Sequence, residues 1–360
     1  MDTVETLAFR KLLVTAAKRE ATDLHLTIGS PPMIRVDGML IPVEDEELMT
    51  AIRLERIVDS IIDQPQRERL EKNRDLVFTM VFDEKIRTKI HIFYQEGYLT
   101  VSLRLLRLDV GTVRSLGVPK AIERFTTVKN GLLIVGGHYG SGRTTLAMTL
   151  LEHINQQRTE HILTLEEPIE YNLVGASSIV NQREVGKDVN SFEDGLVSIE
   201  REDVDILFIS DLPTPAVIRR ALELANAGLL VITVLDVSSS EKALEKLLSS
   251  FLPHEQVYIK ELLADVLRGT VIQYLLPKIG GGLVPVHEVL VNTPSVRAFI
   301  LSDKLTQLDG VIAQSRQEGM VSFDHELVNL VRSRVISLEH AREVARNQEV
   351  FESLVKGIFY

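Results

Sequence analysis

Apolar and polar positions along this chain follow two rhythms. Over residues 4–19 apolar side chains recur at helical spacing, which predicts an amphipathic helix. Asp23-Leu24-His25-Leu26-Thr27-Ile28 then alternates polar and apolar, the period of a half-buried strand. Gly29-Ser30-Pro31-Pro32 breaks the chain, and the runs 33–36 and 39–41 around Asp37-Gly38 predict a hairpin with a two-residue turn. A polar helical stretch over 54–72 follows, then strands over 85–93 and 99–106. The first of these carries Arg87, Lys89 and His91 at alternate positions, so all three leave the sheet on one face. Taken alone, that is the pattern of a solvated sheet face.

A boundary falls near residues 107–117, marked by Asp109, Gly111 and Gly117 and by a change to longer elements. Beyond it, strands over 132–135, 161–165, 205–209 and 229–235 alternate with helices over 144–155 and 215–227, the order of a parallel sheet covered by helices. From residue 239 the pattern is mostly helical: 241–251, 255–268, 295–301, 305–314, 323–332 and 338–346. Strands over 271–276 and 283–290 interrupt it, and the stretch 349–360 has no assigned purpose. The divisions are 1–106, a linker 107–117, a core 118–277 and a mainly helical region 278–360.

Composition narrows the class. A chain of 360 residues with 45% hydrophobic and 25% charged residues is expected to form two or three soluble globular domains. A formal net charge of -11 argues against a surface built to hold nucleic acid. Cysteine is absent, so disulfides and thiolate metal sites are excluded. The first twenty residues mix charges with Leu7, Phe9, Leu12 and Leu13, which fits neither a signal peptide nor a membrane span, and a cytoplasmic location is expected.

The chemistry concentrates at 131–145, where an apolar run enters a glycine-rich turn and then a helical pattern. A phosphate-binding loop asks for Gly-x4-Gly-Lys-Ser/Thr; Gly137, Gly142 and Thr144 fit, while Arg143 stands at the lysine position. In such a loop the stretch from Gly140 and Ser141 to Thr145 lies beside the nucleotide, and Thr144 offers a hydroxyl to Mg2+. Asp211, ending the run 205–211, is either a metal-orienting or water-activating carboxylate or a helix N-cap or turn aspartate ahead of Pro213.

Several separated stretches carry a family resemblance: Ala21-Thr22-Asp23-Leu24-His25-Leu26 with Pro31-Pro32-Met33-Ile34-Arg35-Val36-Asp37-Gly38, then His161-Ile162-Leu163-Thr164-Leu165-Glu166-Glu167-Pro168-Ile169-Glu170 and Val180-Asn181-Gln182-Arg183-Glu184-Val185. Lys278-Ile279-Gly280-Gly281-Gly282, His287-Glu288 and Ala341-Arg342-Glu343 continue the series. Together they resemble the PilT/PilU retraction ATPases of type IV pili, within the type II and type IV secretion ATPases. The resemblance implies an α/β fold: a RecA-like P-loop core, a PAS-like N-terminal α+β domain and a C-terminal helical bundle. It also implies ATP and Mg2+ as ligands, and a hexameric ring that is either homomeric or shared with a catalytically complete paralogue. The expected location is the pilus base, peripheral to the inner membrane beside a platform protein, with no direct nucleic-acid contact. Arg87 and Arg104 match arginines that face nucleotide held by an adjacent subunit, and Glu166 and Glu167 form the family's acidic box.

The departures from that family gather at its chemistry. Arg143 replaces the loop lysine, Asp211 the Walker B glutamate, and Pro213 the arginine of that run. Leu229 and Asp236 stand where the family has two histidines, while Arg297 keeps the central arginine of the helical motif 295–302. A guanidinium is planar and forked and cannot reproduce a compact ammonium. Defects in residues that act as a unit are not additive, so later losses cost little once the first has stopped the chemistry. The implied protein binds ATP and has weak or lost hydrolysis; the alternatives are a fully active retraction motor and, third, a nucleic-acid motor on the same core.

Overall fold

The computed structural model describes residues 4–36, 38–82, 86–106 and 110–359, and these divide into two compact units, 1–109 with 168–172 and 110–167 with 173–360. Asp37, Lys85 and Asp109 of the predicted turn, strand and boundary lie outside the described residues.

In the first unit, helix α1 (Val4–Lys18) precedes strands β1 (Asp23–Leu26), β2 (Met33–Val36) and β3 (Met39–Pro42). Helices α2 (Ala51–Ile61) and α3 (Gln64–Asn73) and strands β4 (Asp75–Phe82), β5 (Ile86–Gln95) and β6 (Tyr98–Leu106) follow. The strands form one antiparallel sheet in the order β3-β2-β1-β6-β5-β4. Phe9, Leu12, Leu54, Ile57, Ile90 and Leu103 fill the core against it. The single helix expected over 54–72 is two helices. Asp63 ends the first and caps the second in a reciprocal capping box with Gln66, and a proline sits in the first turn of α3. Strand β4 is an addition to the sequence reading; its Leu76, Phe78 and Phe82 face the core, while Val77 and Val81 are exposed.

The second unit holds strands β7 (Gly131–Gly136), β8 (His161–Glu166), β9 (Ile179–Glu184), β10 (Ile206–Ile209), β11 (Leu230–Leu235), β12 (Leu267–Pro277) and β13 (Leu283–Val291). Its helices are α4 (Lys120–Glu123), α5 (Arg143–Gln157), α6 (Phe192–Ser198), α7 (Pro215–Asn226), α8 (Ser240–Ser249), α9 (Pro253–Val266), α10 (Pro294–Leu301), α11 (Leu308–Gln314), α12 (Phe323–Arg332), α13 (Leu338–Val344) and α14 (Gln348–Phe359). The strand order is β13-β12-β7-β11-β10-β8-β9, parallel throughout except for the β12–β13 pair. Every residue of β7, β10 and β11 is buried, as apolar strands covered on both faces must be. Strand β13 pairs with β12 to the end of its length, so the sheet continues into the region the sequence reads as mainly helical.

The stretch 349–360, unassigned from sequence, is helix α14 over its described length. Phe351 and Val355 bury with Phe323, Leu327, Val331 and Ile336 in a separate apolar cluster beside β13. Asp324 accepts from the backbone N–H groups of Arg346 (2.9 Å) and Asn347 (3.0 Å), which fixes the turn into that helix. Among the described residues, no helix is long and apolar enough to cross a membrane.

Candidate functional site

Strand β7 ends in a loop that only glycine permits at two points. At Gly137 (φ +154) a Cβ would stand 2.2 Å from Ser141 Oγ and 2.5 Å from the Gln273 carbonyl. Gly142 adopts a left-handed conformation (φ +79), and a Cβ there would stand 2.8 Å from Gln273 Nε2. The turn closes by a bond from Ser141 N–H to the His138 carbonyl (3.0 Å), and Ser141 is buried. Gly142 is the N-cap of α5 and supplies no side-chain cap, so the helix opens without a side-chain acceptor over its first N–H groups. A turned loop of this kind ahead of an uncapped helix N-terminus fits an anion such as a nucleotide phosphate. Thr144 and Thr145 fall in the first turn of α5, where Thr145 accepts from Thr149 Oγ1 through its carbonyl (2.7 Å).

Arg143 is turned back onto its own loop. Its Nη1 donates to the Gly137 carbonyl (2.6 Å) and lies 3.4 Å from Asp236 Oδ2. Asp236 follows β11, the strand directly beside β7, which brings together two positions that depart from the family pattern. Its other oxygen is 3.7 Å from His138 Nδ1. An open cleft of about 440 Å3 runs beside this group, lined by His138, Asp236, Ser238, Lys242 and Lys246 among others.

The remaining predicted carboxylates stand along the same edge of the sheet, one after another. Adjacent strands are about 4.8 Å apart, so β10 with Asp211 is about 10 Å from β7, and β8 with Glu166 and Glu167 about 14 Å. Asp211 is exposed, and its Oδ1 accepts from the N–H of Leu212 (2.8 Å), the local bond of a turn aspartate. The N-cap of α7 is Thr214 instead. Glu166 is fully buried and accepts from Thr164 Oγ1 (2.7 Å) and Gln182 Nε2 (2.9 Å), whereas Glu167 is exposed and donates its N–H to Ser210 Oγ (3.0 Å).

Arg87 and Arg104 belong to the first unit. Arg87 donates to the Ile169 carbonyl (2.8 Å), and its neighbour Lys89 pairs with Glu170 (2.8 Å), both acceptors lying in the segment 168–172 of that unit. Arg104 Nε donates to Asp23 Oδ1 (3.1 Å) across the β1–β6 pairing. The three alternating basic residues of β5 are therefore engaged, with His91 bonded to Asp75 (2.6 Å).

Further polar groups brace the loop from behind, among them His287 and Glu288, which the sequence marks only as part of the resemblance. Gln273, buried in β12, donates Nε2 to the Ser141 carbonyl (2.7 Å) and places Oε1 3.0 Å from His287 Nε2. The other ring nitrogen, Nδ1, lies 3.5 Å from Glu326 Oε1, so both nitrogens of His287 face acceptor oxygens. His287 also gives its backbone N–H to Glu326 Oε2 (2.7 Å) in α12. A glutamine inside an apolar strand is the one signal that could have found this chain.

A second brace runs through Tyr274, whose hydroxyl donates to the Ser238 carbonyl (3.0 Å) and lies 3.3 Å from His138 Nε2. Arg346 also donates to the Ser238 carbonyl, lies 4.5 Å from the Phe323 ring centroid and pairs with Glu288. Burial pushes the Glu288 carboxyl up, against the pull of the Arg346 guanidinium and the Ser240 donors. Those donors are the Ser240 N–H (2.7 Å) and hydroxyl (2.6 Å), at the start of α8. No group of three or more histidine, aspartate or glutamate side chains able to hold a metal occurs among the described residues.

A glycine-framed loop between a buried parallel strand and an uncapped helix defines a P-loop protein with a RecA-like core. The profile of the type II/IV secretion system protein family matches residues 2–280, and the chain belongs to that family, within its PilT/PilU-type ATPases. It is 34% identical over 356 residues to the type IV pilus retraction ATPase PilT of Pseudomonas aeruginosa, covering 98% of this chain and all of that one. The type IV pilus ATPase PilU of the same organism is 29% identical over 353 residues, covering 97% of this chain and 92% of its own. Among solved structures, the pilus retraction motor PilT with bound ADP superposes with a TM-score of 0.82 at 31% identity, covering 95% of this chain and 98% of that one. That likeness spans the N-terminal domain, the ATPase core and the C-terminal helices.

Proposed function

We propose that this chain is an ATP-binding, PilT/PilU-like ring subunit of a type IV pilus machine whose own hydrolysis is weak or lost. The observation that carries the reading is the state of the two charged groups nearest the chemistry. Arg143 is bonded to its own loop and ion-paired with Asp236, and Asp211 is bonded to the adjacent backbone N–H. Phosphoryl transfer depends almost wholly on positioned charge, and neither group is free to supply it without leaving a partner. ATP fits the loop: backbone N–H groups from Gly140 to Thr145 would hold its phosphates, and Thr144 would carry Mg2+. Bound Mg2+ would supply charge neutralisation at the phosphate oxygens.

The ring would be a homo-hexamer or one shared with a catalytically complete relative, acting in retraction and twitching at the cytoplasmic side of the inner membrane beside the platform protein. Arg87 and Arg104 would then sense nucleotide held by a neighbouring subunit. Complementation of a strain lacking this chain tests the reading. A supporting subunit predicts that Asp211→Ala retains pilus retraction while Gly142→Val, which blocks the loop, abolishes it. Loss of retraction with Asp211→Ala in a protein that still folds and assembles would return the chain to the class of active motors.

A further inference from the structure

The loop after β11 links Arg143 to a residue far away in sequence. Asp236 sits against Arg143, and two residues later the Ser238 carbonyl receives donors from Tyr274 and from Arg346. Arg346 lies between α13 and α14, and its guanidinium is fixed on three sides by the Phe323 ring, the Glu288 carboxylate and that carbonyl. Glu288 in turn holds the first residue of α8, Ser240, so the segment 236–240 is tied at its middle and its end by the same C-terminal groups.

We infer that Asp236 competes with nucleotide phosphate for Arg143, and that Arg346 is the positioning residue that keeps Asp236 in the competing place. This rests on the nucleotide-binding reading of the loop. A carboxylate and a phosphate are alternative partners for one guanidinium, and both satisfy it by charge-assisted hydrogen bonds. While Asp236 holds Nη1, the side chain stays at the base of the loop, and a negative charge stands beside the anion site. Asp236 is 52% exposed and Arg143 22%, so the pair is partly screened and its removal is worth roughly a two- to fivefold change. The seat of the C-terminal helices on Arg346 therefore sets nucleotide affinity.

The test uses the full chain and two measurements. Modification of Arg143 by phenylglyoxal, followed by peptide mass spectrometry without nucleotide, reads how firmly the guanidinium is held. Titration with a fluorescent ATP analogue reads affinity. Asp236→Asn is expected to speed modification and to tighten binding, each about two- to fivefold. Arg346→Lys keeps the charge beside Glu288 but loses the forked reach to Ser238. It is expected to move both readouts the same way, and to add nothing in the Asp236→Asn background.

Unchanged modification of Arg143 in Asp236→Asn overturns the competition. An Arg346→Lys effect that persists in full with Asp236→Asn removes Arg346 from the chain of action and leaves it only a packing role. Faster modification in a protein that binds no analogue in any variant overturns the nucleotide reading and the competition with phosphate, while leaving the tether from Arg346 to Arg143 in place.

Discussion

Arg143 Nη1 lies 3.4 Å from Asp236 Oδ2 and 2.6 Å from the Gly137 carbonyl, so the cation at the phosphate-loop lysine position is held by its own loop and by the residue that follows the neighbouring strand. In the family pattern a histidine stands where Asp236 does. An aspartate at this place removes a donor from the site and at the same time pairs with the cation. Two departures that look separate in the sequence are one interaction in the fold.

The loop's shape is the first thing to test. Gly142→Ala places a Cβ 2.8 Å from Gln273 Nε2 at φ +79, and Gly137→Ala places one 2.2 Å from Ser141 Oγ. Each is expected to cost about 1–3 kcal/mol of stability through backbone strain and crowding. Each is also expected to weaken binding of a fluorescent ATP analogue at least about tenfold, as displacement on the order of 1 Å disrupts a pre-formed cradle. Equilibrium titration alongside a urea melt separates the two effects.

Helix α14 contributes to the fold through Phe351, which is fully buried in the C-terminal cluster with Phe323 and Leu327. Phe351→Ala is expected to cost about 3–5 kcal/mol. Urea unfolding followed by circular dichroism checks this, with a change below about 1 kcal/mol indicating that the helix is not packed as described.

Acid sensitivity is expected in the first unit at His25. Burial pushes its imidazole below the ordinary value of 6.5; Asp23 opposes this, and Arg35 and Arg104 act with the burial. Its Nε2 is buried with no hydrogen-bond partner, while Nδ1 lies 3.2 Å from Ser102 Oγ. Because the folded state depresses the value, the unfolded chain takes up the proton first. The stability contributed by neutral His25 is therefore complete above 6.5 and is lost as the pH falls through and below it. His25→Gln is expected to flatten the difference in melting temperature between about pH 7.5 and about pH 5.5.

Much of this was legible in local patterns. The turned loop announces itself because Gly137 and Gly142 are close in sequence and each stands where the backbone leaves no room for a side chain. The parallel strands were legible because burial on both faces forces continuous apolar runs such as Ile206–Ile209. The break at Asp63 carried its own signal, an aspartate three residues before Gln66 with Pro65 between, but a long polar stretch masked it. Strand β4 follows directly on α3 with Arg74 as its left-handed cap, so the change of period falls inside one polar-rich region. The Arg143–Asp236 pair and the partners of Gln273 were not legible, because they depend on which strands the sheet makes neighbours. Sequence distance carries no trace of β11 lying beside β7, or of β12 lying on its other side.

Purified chain incubated with Mg-ATP, with bound nucleotide and released phosphate followed in the same sample, separates a nucleotide-binding subunit from an active motor. Saturable ATP binding that Gly142→Val removes is expected, with phosphate release no faster than a buffer control. Phosphate release well above that control, abolished by Asp211→Asn, would contradict it and show that Asp211 leaves its bond to Leu212 to act on water.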